Sequence, residues 1–287
     1  MPIEGEAMAV DAIPVRARAA RDGLQRTAAV WLVAMLLAQW AFFYYIAAFY
    51  GASVVSGELE VWNRLAGFGR QTYIAGDGWG NAAFAGHALG AGIIALGGAL
   101  QLVPWVRARF PVFHRWNGRV FLATVVALSL SGFYLVWFRG SERPPLLDSI
   151  ATSLIGVLIL AFAAIASATA RARDFRRHRE WAMRLYLVSN AQWFLRVGVF
   201  AYVVLAKAAG HEPDLHDPFL LFWKFGCFLV PLALLQLYLR ARGGASVGLR
   251  RLASGALLAA TLVMVLGTVV FGIFCQKIIT GAPLTLG

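Results

Sequence analysis

Apolar residues gather in seven nearly uncharged stretches, separated by short segments rich in arginine or glycine. A bilayer core of about 30 Å is crossed by about 20 mostly apolar helical residues. The stretches 27–50, 81–103, 119–138, 149–170, 185–206, 219–240 and 252–275 meet that length, so the pattern predicts seven membrane-spanning helices. The expected fold class is an all-α polytopic membrane bundle. Composition agrees: 60% of the 287 residues are hydrophobic and only 14% charged, against about 25% charged in soluble domains, and the mean hydropathy is +0.68.

Charge placement then sets an expected orientation. Eighteen basic residues fall on one side of the spans, in the groups 16–26, 107–119, 171–184 and 240–251, and six on the other. The positive-inside rule puts the N-terminus in the cytoplasm and the C-terminus outside. Residues 1–26 are expected as a mobile cytoplasmic tail, 27–275 as the membrane domain with 81–206 as its core, and 276–287 as a short external tail. The first apolar run lacks a small-residue cleavage site, so it is expected to remain as a span. The external segment 51–80, with Trp62, Tyr73 and Trp79, is expected at the interface or as a cap on the bundle. A helical bundle with this charge bias belongs in a bacterial inner membrane, because outer-membrane proteins are barrels.

The net charge of +12 would point to nucleic acid on a soluble domain. Here the arginines sit in short loops, where the expected partner is the anionic headgroups of the cytoplasmic leaflet and no nucleic acid. Cys227 and Cys275 have neither disulfide nor metal spacing. No nucleotide-binding loop, zinc-protease or serine-hydrolase motif is present. The seventh span lacks an internal lysine for a retinal Schiff base, and no span contains an acid to carry protons.

Chemistry is therefore left to a few polar residues. Arg196 lies near the middle of the fifth predicted span, where a charge costs at least about 2.5–3.5 kcal/mol and calls for a partner. Polar neighbours, carbonyls, a loop carboxylate such as Asp77, or an anionic ligand can supply it. Ser189, Gln192 and Arg196 form one stripe of that helix. On the second span His87 shares a small-residue stripe with Gly90, Gly97 and Gln101, which suits helix contact, a quinone hydrogen bond or haem ligation. His114 and His178 open the third and fifth spans among Arg115, Arg119, Arg179 and Arg184. The segments Arg107-Ala-Arg109…His114-Arg115 and Arg171-Ala-Arg173…His178-Arg179 repeat at a common offset of 64, each followed by a tryptophan (Trp116, Trp181), and suggest a duplicated two-helix unit. These histidines are candidates for a lipid-headgroup clamp, or for a haem iron with Arg115 or Arg179 near the propionates. Lys224 can snorkel to the interface. His211 and His216 share a loop with Glu212, Asp214 and Asp217, which reads as solvated.

The run His87, Gly90, Gly97, Gln101, Pro104, Arg107, Arg109, Pro111, His114-Arg115-Trp116, Gly118-Arg119, followed by His178-Arg179, Trp181-Ala-Met183-Arg184 and Arg196, resembles one family signature. It belongs to a group of bacterial multi-pass membrane proteins catalogued as a domain of unknown function. The resemblance spans the second to fifth helices and implies a membrane protein without naming an activity. Glu180 stands where a basic or polar residue is expected. In arrangement the chain is also similar to four-helix b-type cytochromes, which implies one haem between His114 and His178. The position on the fourth span that would mate with His87 is Ala151, so the analogy provides no second haem pair.

Two functions of different class follow, with a third beside them. One is a redox protein with a b-type haem at His114 and His178, a quinone near Arg196 or His87, and a membrane redox partner. Another binds or moves a small amphipathic or anionic molecule at Arg196, Gln192, Gln101 and His87. The third is a scaffold or assembly subunit.

Overall fold

The computed structural model describes residues 15–68, 71–139, 145–214, 216–244 and 246–283. Among them the chain is helical and contains no strand. Helix α1 (Val15–Tyr45) continues through a π-helical turn (Ile46–Gly51) into α2 (Ala52–Ser56), and a 3₁₀ stretch follows at Leu59–Phe68. Then come α3 (Gly78–Ile93), α4 (Pro104–Arg109), α5 (Pro111–Trp137), α6 (Leu146–Arg171), α7 (Phe175–Ser189), α8 (Ala191–Ala208), α9 (Pro218–Arg242) and α10 (Val247–Thr280). Seven helical runs are long and apolar enough to cross a bilayer, as the hydrophobic pattern predicts.

Neighbouring helices follow the chain: α1 packs on α3, α3 on α5, α5 on α6, and α6 on α7. Helix α8 turns away to α9 and α10, and α10 returns to α1 along most of its length. The main core joins Met35, Phe121, Val125, Ile159, Tyr186, Val188, Trp193, Phe228 and Met264 across this ring.

Three boundaries differ from the hydrophobic pattern. Helix α1 reaches back to Val15, so 15–26 is helix rather than mobile tail. This stretch is made of good helix formers and is anchored by Leu24, buried with Ala241, Ala253 and Leu257. Residues 1–14 lie outside the described residues. Helix α10 runs to Thr280 and stops at Gly281, whose φ of 72° makes the left-handed cap that glycine adopts freely. The fifth run is divided: α7 ends at Ser189 and α8 begins at Ala191. Ser189 and Asn190 both bond backward, to the carbonyls of Leu185 and Tyr186, which favours a bend over continued helix.

At the end opposite the arginines, Trp62 is fully buried and its indole donates to Ser53 Oγ at 2.6 Å. This part of the 51–80 segment caps the bundle as expected, while Trp79 is 88% exposed.

Candidate functional site

Because α8 begins at Ala191 after the bend at Asn190, Arg196 sits in its second turn. Its Nη1 donates to the Gln192 carbonyl at 2.7 Å, one turn back on the same helix. The side chain is exposed, yet it lies within electrostatic range of Tyr45, Tyr50, His87 and Cys275. These four belong to α1, its π turn, α3 and α10. Arg196 is thus an accessible cation of α8 within electrostatic range of groups on α1, its π turn, α3 and α10. The ion pairs of the described residues do not include it.

The surrounding groups are fixed by local structure. A π turn bonds i to i+5 and so brings residues five apart onto one face. Tyr45 and Tyr50 consequently meet edge to face at 5.8 Å between centroids. On α3, His87 Nδ1 lies 2.9 Å from Ser131 Oγ, whose own proton goes to the Leu128 carbonyl at 3.2 Å. His87 must then donate from Nδ1, leaving Nε2 as an acceptor. Phe200 of α8 packs on Phe271 and Phe274 at 5.4 and 4.9 Å, adding an aromatic wall.

Gln101 is not part of this group. With its amide oriented to satisfy its neighbours, its oxygen accepts from Asn117 Nδ2 and Gly118 N, and its nitrogen donates to His114 Nδ1 at 3.1 Å. Asn117 Nδ2 also lies 2.9 Å from the Gly97 carbonyl. This network is at the arginine-rich end, where His114 and His178 lie within electrostatic range of each other. His178 Nδ1 donates to the Ala166 carbonyl at 2.9 Å, which leaves its Nε2 a free lone pair. His114 is the opposite tautomer: Nδ1 accepts, so Nε2 carries the proton. The donor set as it stands does not fit a haem ligated through two Nε2 atoms. Turning the Gln101 amide over would set its nitrogen against the Asn117 and Gly118 N–H groups.

The repeated segments do share a local structure. Arg119 lies over the Trp116 ring at 4.8 Å, and Arg184 over Trp181 at 4.9 Å. Arg115 and Arg179 are exposed beside them.

Other expectations are corrected. Asp77 does not reach Arg196. It caps α3 by accepting from Gly80 N at 2.9 Å and meets Arg139 Nε at 3.1 Å. Arg139, only 7% exposed, also donates to the Thr72 carbonyl and to Asn81 Oδ1 at 2.8 and 2.7 Å. In the sequence Arg139 is one of the six basic residues on the external side, with no spacing that signals its burial. The Gly80 N–H, together with Arg139, holds the Asp77 carboxyl below the usual carboxylate range. Lys224 does not snorkel freely: its Nζ pairs with Asp148 of α6 at 2.6 Å. His211 and Tyr202 both bond Asp217, at 3.0 and 2.8 Å, and His216 bonds Asp214 at 2.9 Å. Among the described residues no group of three or more His, Cys, Asp and Glu is placed to hold a metal.

A family model described as a predicted membrane protein, DUF2306, matches residues 84–239, more than half of the chain. The chain belongs to the DUF2306 family. Neither curated proteins nor solved structures give a match. The DUF2306 region holds His87, Gln101, His114, Arg139, His178, Gln192 and Arg196. It omits α1 and α10, which bring Tyr45, Tyr50 and Cys275 toward Arg196. In this chain the groups within electrostatic range of Arg196 thus come both from the DUF2306 helices and from the two helices outside the match.

Proposed function

We propose that this DUF2306 protein is a multi-pass membrane protein that binds a small amphipathic molecule by an anionic or carbonyl head, with Arg196 as the principal contact. The observation that carries this reading is an accessible guanidinium on a membrane-spanning helix, within electrostatic range of Tyr45, Tyr50, His87 and Cys275, whose hydrogen bond among the described residues is to its own helix. A planar fork of donors matches a carboxylate or carbonyl oxygen, and Gln192, the Tyr45–Tyr50 pair and His87 add polar groups around it. The aromatic wall at Phe200, Phe271 and Phe274 suits an apolar body. Eighteen basic residues at one end support that end as cytoplasmic, in a bacterial inner membrane facing anionic headgroups.

The test is thermal unfolding of the protein in lipid nanodiscs with decanoate, and with decanol as the matched neutral control. Decanoate should raise the midpoint saturably and decanol should not, with the rise lost in Arg196→Met. Equal responses to the two probes would sink the reading.

The alternative is a b-type haem between His114 and His178, supported by the nearness of the two imidazoles and the arginines around them. It requires Gln101 to turn and His114 to change tautomer. A dithionite-reduced minus oxidised spectrum of protein expressed with ample haem decides it. A b-type band lost in both His114→Ala and His178→Ala would establish the redox reading in place of the first.

A further inference from the structure

A second place in the fold carries ligand chemistry that the Arg196 reading does not use. Where the arginine-rich ends of α1, α9 and α10 meet, a cavity of about 120 Å³ is lined by Arg21, Leu24, Gln25, Tyr238, Ala241, Arg242 and Arg250. The lining follows from helix geometry. Positions 21, 24 and 25 are one face of α1, and 238, 241 and 242 are one face of α9, each spaced i, i+3, i+4. Leu24 and Ala241 are 3% and 0% exposed and close the floor with Ala253 and Leu257. Arg21, Gln25 and Arg242 are exposed at the rim.

Arg250 is held in place by two backbone carbonyls. Its Nη1 donates to Ala17 O at 3.2 Å and its Nε to Ala241 O at 3.4 Å, so it ties α10 to both other helices. Neither bond neutralises its charge. No carboxylate lines the cavity, and Arg21, Arg242 and Arg250 take part in none of the ion pairs of the described residues. Asp22 follows Arg21 but, one residue on, projects about 100° around the helix.

We propose that this cavity binds a phosphate group. Three arginines line a space with room for about four waters at about 30 Å³ each, comparable to a phosphate and its oxygens. Arginine is the side chain whose fixed fork suits phosphate oxygens, and the Tyr238 hydroxyl and Gln25 amide add neutral donors. The phosphate is carried either by an anionic phospholipid, whose acyl chains extend along the bundle, or by a free ion from the aqueous side.

The experiment measures the unfolding midpoint of the full chain in neutral detergent at fixed ionic strength. One arm adds phosphatidylglycerol against phosphatidylcholine in mixed micelles; the other adds sodium phosphate against sodium chloride. A saturable rise with phosphatidylglycerol alone identifies the lipid as the source, and a rise with phosphate identifies the free ion. In either case the Arg21→Gln, Arg242→Gln double variant should need at least tenfold more ligand. The Arg240→Gln, Arg251→Gln variant, which loses the same charge outside the cavity, should respond as the parent does. No rise in either arm would overturn the proposal. Equal weakening in both double variants would also overturn it, because the effect would then be bulk charge. Arg250 is left intact because its loss also cuts two bonds between helices.

Discussion

At the scale of the residue, Arg196 separates a ligand contact from a structural one. If its charge served packing, removing it would weaken the fold. The arrangement predicts no such loss in the absence of ligand: Arg196→Met removes an exposed side chain whose hydrogen bond is to its own helix. Its unfolding midpoint should therefore equal the parent's, while decanoate no longer shifts it. A midpoint several degrees lower would mark a structural arginine. Asp77 gives a prediction in pH. Its folded pKa lies below the ordinary 3.8, so its contribution is fully present above that value and is lost as pH falls through the lower folded one. Thermal unfolding should show Asp77→Asn below the parent at pH 7, with the gap closing only under strongly acid conditions. A gap that closes already near pH 5 would contradict the clamp with Arg139. Arg196 was legible because a charge in an apolar run has few explanations. Arg139 was not, since Asp77, Thr72 and Asn81 come to it from a loop and another helix that no spacing connects.

Elements show where hydrophobic periodicity ran out. The pattern found all seven spans, because bilayer length is written directly in the run of apolar residues. It missed the bend at Asn190, where apolar character continues across two helices that differ only in direction. It also missed the π turn that brings Tyr45 and Tyr50 together, since nothing in their composition distinguishes i→i+5 from i→i+4 bonding. The repeat was legible as two similar loops, and both place an arginine over a tryptophan. The packing of α8 on α10 leaves no room at Gly267, where a methyl group would strike the Val197 carbonyl. Gly267→Ala should destabilise by about 1–3 kcal/mol, and a neutral effect on chemical unfolding would show that α8 and α10 sit farther apart. Lys224 and Asp148 join α9 to α6, with 23% and 36% of their side chains exposed. Lys224→Met should cost about 1 kcal/mol at most, and the double change with Asp148→Leu should cost less than the single one. A double variant worse than Lys224→Met would deny the pairing.

Over the whole molecule, charge and function divide between the two ends of the bundle. The arginine-rich end carries the His114–Gln101–Asn117 network, the repeated tryptophan–arginine stacks and the three-arginine cavity. The other end is capped by Trp62 and clamped by Arg139, with the Arg196 group beneath. The seven-span architecture was readable from the sequence in outline, while its ring was not, because lipid-facing and bundle-facing positions are equally apolar. The sequence therefore grouped Gln101 with Arg196, and the bundle places it with His114. Arg196 is proposed to receive an anionic head. Equilibrium binding of radiolabelled decanoate to the nanodisc-embedded protein tests it most directly. Saturable binding of one molecule per chain is expected, abolished in Arg196→Met and retained in part by Arg196→Lys. Binding that does not saturate, or that is unchanged in Arg196→Met, would contradict it.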